Sequence, residues 1–269
     1  MTARLRYSLI QAGERGWDTM GVKPGDGDEM ARAVGWKIVS DGSNQGRTGL
    51  QRDPYLGGGQ GMAYVEPDVL RDITVKRSLE GWQMVIHANG DLAIDRALDA
   101  IEAALEAGAP KDSRFRIEHC SVDHVTTEMS CYRDEIFGPA KADLLGRAAS
   151  CGAAGLRWTM HSDEPVTEMG PLRMIDNAVN RSLWKEPGGV LNPAERVTVE
   201  QAIIALTRDA AWQCRSEHEI GSLEVGKLAD FVILDRDPLE TPSAELGGIR
   251  VLETWVGGRR VYAAQSPAA

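Results

Sequence analysis

A chain of 269 residues, 42% apolar and 26% charged, is long enough to bury a substantial core in one barrel-sized domain, or in one main domain with a small satellite. Its net charge of −10 is spread along the chain, which argues against nucleic acid or an anionic membrane surface as the main partner. The four cysteines (Cys120, Cys131, Cys151 and Cys214) form no CxxC pair and read as free thiols of a reducing cytoplasm. No apolar run approaches the length of a membrane span, and the N-terminal stretch lacks the apolar centre of a signal peptide. A cytoplasmic protein acting on a small molecule, away from membranes and nucleic acids, is the expectation.

Short apolar runs then alternate with helical patterns, as βα units and a parallel sheet require. "RLRYSLIQ" at 4–11 is the first predicted strand, and "VGWKIVSDG" follows with Val34, Trp36 and Ile38 on one face. The spacing predicts a helix over 67–80, ended by Gly81. The strand "GWQMVIHA" at 81–88 comes next. A helix over 91–107 would face inward through Ile94, Ala97, Leu98, Ile101, Ala104 and Leu105, with Gly108 just past its end. Further strands are predicted at "RFRIEHC", 114–120, and "GLRWTMHSDE", 155–164, making five in all. Pro171 suits the first position of another helix, and Thr198 with Gln201 forms a capping box. From residue 220 the texture changes to turn-punctuated β runs, with Gly257-Gly258 as a two-residue hairpin loop. The tryptophans Trp36, Trp82 and Trp158 read as core, and the glycine-rich "GGGQG" at 57–61 as a loop without phosphate-binding character.

Each predicted parallel strand ends in a polar cluster, at the sheet edge where α/β folds bind ligands. Lys37, His87, His119 and Asp163 stand at four of these ends. One histidine alone reads as a hydrogen-bonded structural residue. Four ligand-capable side chains in such positions point to a metal site, and imidazole with carboxylate suits Zn²⁺ or a similar ion. Such an ion generates a nucleophile from water at neutral pH, and a carboxylate beside it can carry the proton to a leaving amine. Lys37 joins as a ligand only if its amine is carboxylated; the competing reading pairs it with Asp41. Asp41 also competes for a turn role, Asp91 for a helix cap or for holding His87, and His161 shares a predicted face with Asp163.

Taken together, "WKIVSDGSNQGRTGLQRDPYL", "VIHANGDLAIDRALDAIE", "FRIEHC", "HSDEPV" and "IGSLEVGKLADFVILDRDP" resemble the YtcJ-like branch of the amidohydrolase superfamily, relatives of N-substituted formamide deformylase. The likeness runs from about residue 4 to residue 263. It implies a distorted (β/α)₈ barrel with one or two metal ions, hydrolysing C–N bonds in amides. By motif, Lys37 matches the strand-four lysine, its carboxylation left open. His87 and His119 match the strand-five and strand-six histidines, and Asp163 matches the strand-eight aspartate, ligand or base.

The family's strand-one His-x-His pair is absent from these 269 residues, the first run corresponds to about strand three, and the stretch between His119 and Asp163 is short. His124 falls in that stretch without matching the strand-seven position. The expected fold is therefore α/β, an incomplete or rearranged TIM-like barrel over 1–219 with a small C-terminal β module over 220–269. With His-x-His missing, one ion on His87, His119 and Asp163 is expected over two. Five barrel strands leave edges and apolar faces to cover, so a homo-oligomer is expected. Three functions stay open: a metal-dependent hydrolase of an amide-like bond with Asp163 as its catalytic acid/base, an inactive relative serving as a binding or assembly subunit, and an esterase or lactonase on the same centre.

Overall fold

The computed structural model describes residues 3–120, 132–183 and 186–265. The predicted features at His124 and Cys131 lie outside the described residues. The chain divides into two compact units, one holding the described residues from Arg4 to Leu145 and the other those from Gly146 onward.

The first unit is built on four parallel strands in the order β1-β2-β3-β4: β1 Leu5–Ile10, β2 Ala31–Val39, β3 Gln83–Ala88 and β4 Arg116–His119. Helix α1 (Glu14–Met20) follows β1, α2 (Pro67–Leu79) precedes β3, and α3 (Asp91–Glu106) connects β3 to β4. Alternation along the strands separates two faces. Trp36, Ile38, Met84 and Ile86 are buried in one core with α2 and α3, each such side chain contributing roughly 1.5–3 kcal/mol. On the other face, in-register rows carry Lys37 beside Val85 and Arg116, and Val39 beside His87 and Glu118. Trp36 and Trp82 pack at 5.6 Å, and the Arg77 guanidinium lies 3.8 Å from the Trp36 ring centre. Arg77 is buried, and its charge is met by Glu14 at 2.6 Å, Glu80 at 2.7 Å and Asp18 at 2.9 Å, which ties α1 to α2.

The helix after β3 corrects its predicted core face. Ala93, Ala97, Ala100 and Ala104 are the buried positions, with Ile94 and Ile101 packed at the margin of the core, while Leu98 and Leu105 are exposed. A stripe of alanines lets the helix pack closely, and the bulky leucines lie outside that stripe. A short π-helical turn (Tyr132–Phe137) and α4 (Pro139–Ala142) complete the unit.

The second unit holds α5 (Ala148–Ala153), α6 (Pro171–Asn180), α7 (Val199–Leu206) and α8 (Arg208–Gln213). To these it adds an antiparallel sheet of β5 (Phe231–Leu234), β6 (Val251–Val256) and β7 (Arg259–Ala263). The β6–β7 turn is Gly257-Gly258, both at positive φ as such a turn requires. The predicted strand at 155–164 is not formed, so four of the five expected parallel strands are found among the described residues. That stretch is irregular backbone. Its alternation is nonetheless used: Trp158 and Met160 both pack on the core of Ile175, Ala178, Val197 and Ala202, so the apolar period serves helix packing instead of a ladder. No helix among the described residues is long and apolar enough to cross a membrane.

The capping box at α7 is complete. Thr198 Oγ1 accepts the Gln201 N–H at 3.1 Å, and Gln201 Oε1 accepts the Thr198 N–H at 2.9 Å. Replacing Thr198 by alanine is expected to cost about 1 kcal/mol, read as a lower urea midpoint at unchanged slope.

Candidate metal centre

Both histidines of the first unit stand where the parallel strands run out. His87 is the fifth residue of β3, and His119 closes β4. His119 has φ +74° and Cys120 φ +45°, two consecutive left-handed residues without glycine, a conformation that costs on the order of 1 kcal/mol or more per residue. At this sharp exit the His119 ring lies against that of His87, with ring centres 4.3 Å apart and planes tilted by 59°. Strain of this kind persists where the surrounding structure enforces it, and functional sites are where it gathers.

The His87 ring is anchored through one nitrogen. Nε2 lies 3.0 Å from the Gly42 carbonyl oxygen and 3.4 Å from Asp41 Oδ1. Asp41 is fully buried. Its Oδ1 accepts the Asn89 N–H at 3.0 Å, and its Oδ2 accepts the N–H groups of Gly90 at 2.8 Å and Leu50 at 2.9 Å. Burial pushes the Asp41 carboxyl up, against the pull of those three N–H donors and of His119. Asn89 donates from its side chain to the same Gly42 oxygen at 2.9 Å.

The loop after β2 is fixed by a buried polar network. Gln51 Nε2 donates to Asn44 Oδ1 at 2.7 Å, the Tyr55 hydroxyl donates to the Gly49 carbonyl at 2.6 Å, and Asn44 Nδ2 donates to the Asn89 carbonyl at 3.0 Å. Burial pushes the Tyr55 hydroxyl up to about 12. Asp91, at the first turn of α3, accepts the Arg52 N–H at 2.8 Å and pairs with Lys141 at 2.9 Å.

Two predicted placements are corrected. Lys37 is paired with Glu118, not with Asp41, and Glu118 also pairs with Arg116 at 2.7 Å. Lys37 and Glu118 sit on strands either side of β3 and on the same face, so charge attraction across one strand decides the partner. Asp163 is not at a strand end. It lies with His161 in the irregular segment of the second unit, at φ +54°, where its backbone carbonyl accepts the Val166 N–H at 2.7 Å. Both side chains are half-buried. Two residues of the strand-end polar clusters were given no role by the sequence reading. Glu118 stood beside His119 in "IEHC", and Asn89 stood two residues after His87 in "HANGD", a spacing that brings it back over the same strand end.

Histidines at the C-terminal ends of neighbouring parallel strands, with the His87 ring beside buried oxygen atoms, mark an α/β fold with a candidate metal centre. The chain belongs to the amidohydrolase family, whose model matches residues 5–262. It is 31% identical over 252 residues to the protein LONG AFTER FAR-RED 3 of Arabidopsis thaliana, covering 85% of this chain and 42% of that one. It is 29% identical over 218 residues to N-substituted formamide deformylase of Arthrobacter pascens, covering 74% and 40%, and 28% identical to the putative amidohydrolase YtcJ of Bacillus subtilis, covering 84% and 46%. The motif resemblance to the YtcJ-like branch thus stands. A solved metal-dependent hydrolase from Pyrococcus furiosus superposes with a TM-score of 0.73 at 26% identity, over 88% of this chain and 51% of that one. The chain spans less than half the length of these curated relatives.

Two predictions follow from the β3–α3 turn. A Cβ at Gly90 would lie 1.8 Å from the Leu50 carbonyl oxygen, so Gly90→Ala is expected to cost more than about 3 kcal/mol and to show as a collapse of the thermal midpoint. For Asp91, burial raises the carboxyl, but the Arg52 N–H and Lys141 outweigh it and hold the group below its ordinary value of 3.8. A depressed folded value means stability that is present above about pH 4 and is lost as the pH falls through the folded value. Asp91→Asn is accordingly expected to be less stable than the wild type at pH 7, with the gap closing in acid. Urea titrations across pH read the difference.

Proposed function

We propose that this chain provides the catalytic part of a metal-dependent amidohydrolase that cleaves an amide-like C–N bond with water. The observation that carries the reading is the His87–His119 pair at adjoining strand ends, with the His87 ring held through Nε2 by buried acceptors. The donor chemistry fits a divalent ion: two imidazoles at the ends of paired strands, with one ring nitrogen of His87 beside oxygen, as in metal-binding histidines generally. His87 and His119 would hold the ion, and Zn²⁺ suits such nitrogen ligands. When bound, the ion supplies Lewis acidity toward water and toward the carbonyl group.

The remaining roles fall to the chain itself. A carboxylate takes a proton from the attacking water and passes it to the departing nitrogen, so that amide and water become acid and amine, a role that the motif resemblance gives to Asp163. The Asp41 network keeps the His87 ring in place through the cycle, without reorganisation at the moment of reaction. Lys37 is engaged by Glu118, and this pairing favours one ion over two.

Elemental analysis of purified wild type beside His87→Ala and His119→Ala tests the reading. Near-stoichiometric zinc is expected in the wild type, falling to about a tenth or less in both variants, together with hydrolysis of simple anilide probes by the wild type alone. Metal without hydrolysis of amide or ester probes would favour a binding or assembly subunit. A wild type that takes up no metal after incubation with Zn²⁺ and bicarbonate would overturn the proposal.

A further inference from the structure

We propose that Asp41 is a positioning residue that fixes the tautomer of His87, keeping its proton on Nε2 so that the lone pair resides on Nδ1. The metal role of Nδ1 rests on the function proposed above; the tautomer does not. Three groups among the described residues lie beside Nε2. The Gly42 carbonyl at 3.0 Å and Asp41 Oδ1 at 3.4 Å are acceptors, whereas the Asn89 side-chain amide at 3.2 Å presents a donor. Only a protonated Nε2 can donate to the Gly42 carbonyl and face the Asp41 carboxylate favourably. The Asn89 amide is not lost in that arrangement, because it already donates to the Gly42 carbonyl at 2.9 Å.

Asp41 acts in two ways at once. Its carboxylate is itself one of the acceptors near the ring, and it locks the Gly42 carbonyl and the Asn89 amide in their places. The latter follows from its bonds to the N–H groups of Leu50, Asn89 and Gly90, which join the loop after β2 to the turn after β3. Asparagine at position 41 keeps the shape but replaces one acceptor oxygen by a donor, which then faces an N–H group. The acceptor field on Nε2 weakens, and the Asn89 amide becomes able to donate to a deprotonated Nε2.

The test is two-dimensional ¹H–¹⁵N NMR of the ¹⁵N-histidine-labelled full chain, free of metal and at alkaline pH, with the His87 signal assigned by its loss in His87→Ala. The wild type is expected to show His87 almost wholly as the Nε2–H tautomer. Asp41→Asn is expected to shift it to a mixture, leaving His161 and His218 unmoved. Asn89→Leu removes the donor and keeps the acceptors, so it is expected to retain the Nε2–H form; a residue that merely supported the fold would not separate the two variants in this way. An Nδ1–H form in the wild type overturns the proposal whether or not the variants fold. So does an unchanged tautomer in a folded Asp41→Asn, or a switch in Asn89→Leu. Zinc affinity, measured by chelator competition, is expected to fall about 10–100-fold in Asp41→Asn. Absence of zinc binding in every form would overturn the proposed function and leave the tautomer result standing.

Discussion

One carboxylate holds the strand-end region of the first unit together. Asp41 is fully buried, and a buried ionised carboxylate is costly unless its lone pairs are occupied. Here they are occupied by three backbone N–H groups from two segments far apart in sequence. That arrangement explains why position 90 is glycine: the Leu50 carbonyl comes so close that no side chain fits. It also explains the shape of the β2–α2 connection, which folds back over the sheet and carries its own buried amides and hydroxyl in Asn44, Gln51 and Tyr55. The loop is long, yet it is built like an interior.

The parallel sheet makes this economy possible. Alternation places Trp36, Ile38, Met84 and Ile86 against the helices, leaving Lys37, His87, Arg116 and Glu118 for the opposite face. Apolar packing on one side fixes the strands. Functional side chains on the other can then be charged, because a ladder of ion pairs and the turns at the strand ends satisfy them. The left-handed pair His119-Cys120 is the one departure from regular geometry among the described residues of β4 and its exit, and it falls where the two imidazoles meet.

The parts of the fold that were legible in the sequence are those governed by short-range rules. Period-two apolar runs marked β1 to β4, Gly81 and Gly108 marked helix ends at positive φ, and Thr198 with Gln201 marked the start of α7. Strand ends carrying His87 and His119 followed from the same pattern. What was not legible depends on partners distant in sequence. Trp158 and Met160 alternate as a strand would, but the surface they meet is helical, and nothing local says so. Leu98 and Leu105 lose their place in the core to alanines because closeness of packing is a property of two elements together. The partner of Lys37 lies 81 residues away, and Asn89 matters through a carbonyl on another strand's exit.

The Lys37–Glu118 pair sets a condition on any scheme with a second ion. A bridging lysine must be carboxylated, which turns the end of its side chain from a cation into an anion. Glu118 is within hydrogen-bonding reach of that same end, so the reaction would replace an attractive contact by two like charges side by side in a half-buried site. Glu118 would have to swing toward Arg116, which already holds its other oxygen at 2.7 Å. The one-ion arrangement asks for no such rearrangement: His87 and His119 keep their contacts, and the ion-pair row beneath them stays closed. A lysine whose charge is already met by a carboxylate favours the simpler centre.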